Sequence, residues 1–217
     1  MKTVHASRAQ VRAVAAIAAA ACAASASAAF STASYEPCGS TEGLGSFHAD
    51  LTYSYAGGAT ATITITLTNN TEVSLGGYIT ALAINYSSTA SGVGFLSSSS
   101  AAFTDIMAPI SASPYGTFAA GAGLGGSFLG SGDPGGGIAV GGSETFTFVL
   151  SGSAAALAAL DAETVLTPDA GYAMVVRFRG GAVDDWSDKV VGCPLPAPGA
   201  LALLGAVGLV SKRRRRV

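Results

Sequence analysis

The chain has 217 residues, 49% of them hydrophobic and only 11% charged, with 29 glycines and a formal net charge of −2. That charge is unevenly placed: all 13 acidic residues lie between residues 30 and 195, together with only Arg177, Arg179 and Lys189 of the 11 basic ones. The middle of the chain therefore carries a net charge near −10, which excludes nucleic acid and anionic lipid as its partners, because both are held through Lys and Arg contacts.

Residues 1–29 have the composition of a secretory signal peptide. A basic lead (Lys2, Arg8, Arg12) precedes an uncharged, alanine-rich run over 14–24, and the small residues Ala26-Ser27-Ala28-Ala29 predict cleavage after Ala28 or Ala29. The expected partners are the Sec translocon and signal peptidase. Cys22 follows Ala19-Ala20-Ala21 and lacks the larger apolar residue that a lipidation site places before its cysteine. The remaining stretch, 30–193, is long enough for one domain with a core of its own.

Residues 31–46 are polar, with Pro37 and several glycines, and predict an irregular entry. Residues 51–55 alternate and are rich in β-formers. Over 60–68 the alternation is complete, with Ala61, Ile63, Ile65 and Leu67 against five threonines, the period of a half-buried antiparallel strand. Asn69-Asn70 predicts a turn, since asparagine tolerates positive φ. Another strand follows over 78–86 with a less regular alternation. A serine-rich stretch, 87–100, predicts a loop or weak edge strand around Val93-Gly94-Phe95, and 103–107 a further strand.

Between 116 and 142, 12 of 27 residues are glycine, which predicts long loops with short strands at 127–129 and 138–140. Residues 144–150 form a clear strand with Phe146, Phe148 and Leu150 inward. Ser153 followed by an Ala/Leu run is the one good helix signal of this domain, with Ser153 as N-cap. Strands return at 172–179, with Tyr172, Met174, Val176 and Phe178 inward and Arg177 and Arg179 outward, and at 186–191. Many short strands, Gly/Ser turns and one small helix predict an all-β domain, an antiparallel β-sandwich of jelly-roll-like form, flanked by an N-terminal signal helix and a C-terminal hydrophobic helix.

Candidate chemistry is sparse. Cys38 and Cys193 border the domain, and in an exported chain they suggest a disulfide between first and last strands; two free thiols are the alternative. A histidine-based nucleophile would have to recruit His48, the single histidine of this stretch, and no serine sits in a nucleophile elbow. The cluster Asp184-Asp185-Trp186-Ser187-Asp188 is the one concentration of hard oxygen ligands. Asp184, Asp185 and Asp188 could contribute to a Ca2+ site, and Trp186 could stack a sugar; the alternative pairs Asp184 and Asp185 with Arg177 and Arg179 across a hairpin and packs Trp186 in the core. No other cofactor is suggested. Two carboxylates flanking a deep cleft would be needed for a secreted hydrolase.

Residues 194–217 run from a proline-rich lead (Pro194, Pro196, Pro198) through an apolar segment, 199–210, to Lys212, Arg213, Arg214, Arg215, Arg216 and the terminal Val217. Pro198 suits the first turn of a helix, and the basic cluster holds its end on the cytoplasmic side. Spanning a bilayer takes roughly 20 apolar residues, so this helix is marginal; a permanent anchor and a buried core helix are the alternatives. The pattern Pro196-Ala197-Pro198, a Leu/Ala/Gly helix and a terminal arginine cluster resembles the PEP-CTERM sorting signal of exosortase substrates, with Ala197 where that motif carries glutamate. The resemblance implies a transient inner-membrane anchor, cleavage near Pro196-Ala197-Pro198 by an exosortase-like enzyme, and release or attachment at the cell surface, where extracellular polysaccharide is a further partner. Gly77-Tyr78-Ile79-Thr80, Val176-Arg177-Phe178-Arg179 and Ser187-Asp188-Lys189-Val190 are similar to the β-sandwich ectodomains that precede such tails. The expectation is an exported, non-enzymatic surface or matrix protein, with a calcium- or carbohydrate-binding module as the alternative.

Overall fold

The computed structural model describes residues 29–168, 171–182 and 185–195. The expected signal helix and hydrophobic tail helix lie outside these residues, and among the described residues no helix is long and apolar enough to cross a membrane. The chain forms β1 (Ala29–Ser40), β2 (Phe47–Tyr55), β3 (Thr60–Asn69), β4 (Gly76–Ile84), β5 (Gly92–Ser98), β6 (Phe103–Asp105), β7 (Ile110–Ser111), β8 (Thr117–Phe118), β9 (Ala120–Leu124), β10 (Ser143–Ser151), a short helix α1 (Ala154–Ala158), β11 (Met174–Gly181) and β12 (Asp188–Pro194). Every strand pairing is antiparallel.

A sandwich expects two stacked sheets. Hydrogen bonding instead runs without a break through ten strands, in the order β5-β10-β3-β2-β1-β12-β11-β4-β9-β6, with β7 and β8 as a separate hairpin. The ends of this sheet curl toward each other until β5 touches β6 and β9. Ser98 on β5 donates to the Phe103 carbonyl on β6 at 3.3 Å, and the Phe103 and Phe146 rings meet edge-to-face at 5.1 Å. A near-closed sheet follows from the accumulated twist of many strands, and it shelters most of the edge.

β3 shows how the pattern becomes structure. Ala61, Ile63, Ile65 and Leu67 are buried inside the curl, each large one contributing about 1.5–3 kcal/mol. Its threonines form an outward ladder, with Thr66 hydroxyl 3.3 Å from that of Thr145 on β10. β4 departs from simple alternation because its register against β11 shifts near Thr80. That bulge puts Ile79, Leu82 and Ile84 in the main core, and Ala81 and Ala83 in a second cluster on the outer face with Ile110, Phe118, Val175 and Val191. The β7–β8 hairpin covers that outer face, so β4 is buried on both sides.

Three sequence expectations are corrected here. The irregular entry over 31–46 is largely β1, an interior strand between β2 and β12. Pro37 is tolerated because it lies beyond the last β1–β2 pair, Tyr35 with Ala49, and beside a bulge against β12. The predicted strands at 127–129 and 138–140 are turns and one isolated bridge, Ile79 to Ile138, while the glycine-rich stretch before them forms β9. Its glycines are required by close approach: a Cβ on Gly121 would lie 2.6 Å from the Leu82 carbonyl oxygen and 2.8 Å from Ile110. Asn69 is no positive-φ turn residue. It is fully buried, and its amide donates to Gly77 O at 3.1 Å and Ile138 O at 2.9 Å while its oxygen accepts from Thr71 N.

The helix forms as predicted but is shorter, with Ser153 hydroxyl accepting from Ala156 N at 3.2 Å. The connection from β10 to β11 contributes Leu157, Leu160, Ala162, Val165 and Leu166 to the main core. It is bound to the inner strand faces by the Tyr53 hydroxyl donating to Leu157 O at 2.7 Å and by Ala162 N donating to Ser31 hydroxyl at 2.8 Å. Burial pushes the Tyr53 phenol up to about 12.

Candidate functional site

The two cysteines are bridged, with their Cα atoms 5.7 Å apart and a sequence separation of 155. The pairing is possible because the β1 bulge between Pro37 and Gly39 frees Cys38 from the ladder opposite β12. Cys193 lies near the end of β12, and beyond it Leu195 N donates to Ser34 O at 2.8 Å. Of the sorting-motif residues, Pro196, Ala197, Pro198 and Arg213, Arg214, Arg215, Arg216 lie outside the described residues.

Within the expected acidic loop, Asp185 and Asp188 have different surroundings. Asp184 lies outside the described residues. Asp185 is exposed at positive φ, 46°. Asp188 begins β12 and is 1% exposed. Its carboxylate faces the β1–β2 loop and accepts from Ser40 hydroxyl on both oxygens, from Thr41 N and hydroxyl, and from the N–H groups of Glu42, Leu44 and Gly45, at 2.6–3.1 Å. Burial opposes the charge, but the hydrogen bonds from Gly45, Ser40, Leu44 and Thr41 outweigh it and hold the carboxyl below its ordinary range. With both oxygens so occupied, Asp188 orders a loop. Among the described residues, no group of three His, Cys, Asp or Glu side chains is placed to hold a metal ion.

Trp186 packs on the main core, as the alternative to sugar stacking expects. Its ring lies 6.4 Å from that of Phe178, and its indole N–H donates to Leu75 O at 3.0 Å. The ring rests on Gly77 and Gly181, where any Cβ would overlap it. Asp185 forms no ion pair with Arg177 or Arg179: the ion pairs among the described residues are those of His48.

His48 sits on β2 in the interior of the sheet. Its Nδ1 is 2.6 Å from Glu36 Oε1 on β1, and its Nε2 is 3.1 Å from Asp50 Oδ1. The hydrogen bond to Glu36, then that to Asp50, raises its pKa above the usual value against partial desolvation. Ser34 hydroxyl donates to Asp50, not to the imidazole. That order, serine to carboxylate to histidine, gives no activated nucleophile. An open cleft of about 370 Å3 beside Gly76, Gly77, Tyr78 and Gly180 has no carboxylate among the described residues that line it.

Sequence reasoning missed the loop 40–45 as the partner of Asp188. Its signal was the run Ser40-Thr41-Glu42-Gly43-Leu44-Gly45, small and flexible enough to turn four N–H groups inward; a Cβ on Gly45 would lie 2.6 Å from the Phe178 ring. Comparison with protein-family models, with curated proteins and with solved structures finds no match.

Proposed function

We propose that this is an exported, non-enzymatic cell-surface or extracellular-matrix protein whose C-terminal tail directs exosortase-type sorting and cleavage. Its ectodomain is the near-closed sheet, read in finer detail as a flattened, sandwich-like form. What carries the reading is the junction between the folded unit and the tail. β12 is an interior strand, it is bridged at Cys193, and it ends at Pro194, two residues before the Pro196-Ala197-Pro198 motif. Cutting at that motif removes the apolar segment and Arg213–Arg216 without opening the sheet. The disulfide suits an oxidising compartment, and His48 is engaged by two carboxylates with no nucleophile bonded to it.

The test is the intact mass of the protein recovered from an exosortase-bearing host, before and after reduction. A species beginning near Phe30, ending near Pro196 and gaining two hydrogens on reduction is the expected result. A mature species that keeps Arg213–Arg216 would make the tail a permanent anchor and end the sorting reading.

A further inference from the structure

Arg177, Arg179 and Lys189 are the entire lysine and arginine complement of residues 30–193, and the sheet brings all three to one face. Arg177 on β11 lies directly across from Lys189 on β12, and Arg179 follows two residues along the same outer face. Like charges opposed on neighbouring strands are destabilising unless something offsets them. No carboxylate does so among the described residues, where these three form no ion pair. Arg179 Nη1 reaches only the neutral Gly132 carbonyl, at 3.5 Å, and Lys189 Nζ only that of Ser113. Arg177 has less: its Nε is buried with no hydrogen-bond partner. An N–H closed to solvent is out of reach of an incoming anion, so the outer N–H groups of the Arg177 fork are the ones left to take an acceptor. Asp188 acts on it electrostatically, but its oxygens face the 40–45 loop.

We propose that Arg177, Lys189 and Arg179 form a binding site for one isolated oxyanion, a carboxylate or sulfate group on a weakly charged glycan. The fork of Arg177 is suited to such a group, and Lys189 supplies a second charge across the strand pair. The surrounding charge of about −10 selects against densely charged polyanions, since repulsion from the rest of the surface grows with each added charge. This site is independent of the tail and goes beyond the sorting role.

The experiment is 15N NMR of the full-length chain in neutral detergent, following the Arg177 Nε–H signal during titration with sodium sulfate, sodium glucuronate and glucose. That signal separates this site from the basic tail. The expected result is a saturating shift with sulfate and with glucuronate, none with glucose, and affinity weakened about tenfold in Lys189→Gln through loss of a charge-assisted contact. An Arg177 signal that does not move with either anion, or an affinity unchanged in Lys189→Gln, overturns the proposal.

Discussion

Asp188 is the side chain on which most local order depends. Replacing it with alanine leaves the N–H groups of Thr41, Glu42, Leu44 and Gly45 without their acceptor in a partly buried loop, so Asp188→Ala is expected to lower stability by roughly 3–5 kcal/mol, read by urea unfolding. Asp185→Ala, at an exposed position, should stay within about 0.5 kcal/mol. Because its folded pKa is depressed, the stability Asp188 contributes is present above its unfolded value near ~4 and is lost as pH falls through the lower folded one. Equal losses in the two variants would remove the loop-ordering role. His48 works with the opposite sign. Its folded pKa is raised, so its contribution is complete below the unfolded value near ~6.5 and disappears as pH rises through the folded one. With side chains 30%, 39% and 63% exposed across the cluster, screening limits the effect to about 0.2–1 kcal/mol. The melting temperature of the parent should exceed that of His48→Gln at pH 5.5, and the gap should shrink as pH rises through the raised folded value.

Among the elements, the β11–β12 turn depends on Trp186 lying against bare backbone. Gly181 leaves no room for a Cβ beneath the indole, so Gly181→Ala must displace the ring, breaking its bond to Leu75 O and its packing on Phe178. The expected loss is about 2–4 kcal/mol, with a red shift in emission that is unambiguous because the chain has a single tryptophan. Unchanged emission would mean that the ring is not held there. Element by element, legibility followed periodicity. β3 and β10 could be read in full, because one face of each meets the core and the other meets water. β9 could not, because Ala120–Leu124 is buried on both faces and its small residues record close packing instead of alternation. β1 was hidden by Pro37 and by its serines and threonines, which suit an outward strand face as well as they suit a loop.

For the whole molecule, the Cys38–Cys193 bridge joins β1 to β12 across nearly the full length of the domain. Closing a separation of 155 residues restricts the unfolded chain by roughly 4–5 kcal/mol in the entropy model, and measured losses run about 2–5 kcal/mol. Cys38→Ser with Cys193→Ser should fall by that amount in urea and become insensitive to reductant, whereas the parent should fall to the same level only when reduced. A parent indifferent to reductant would show that the bridge restrains nothing. The same closure explains why the site chemistry was only partly legible. The clustered acids at 184–188 could be seen in the sequence, but the donors that occupy Asp188 come from residues 40–45, at the far end of the chain.

By itself the sequence determined that the domain is β-built, acidic, bordered by two cysteines and followed by an apolar, arginine-ended tail, because composition and short-range periodicity are local properties. Only the tertiary structure decided that ten strands share one curled sheet, that Asp188 faces a loop instead of a ligand, and that the three cations of the domain meet on one face. Each of these depends on which distant strands pair and in what register, and pairing is settled by which side chains the curled sheet can bury together, not by any stretch of residues alone.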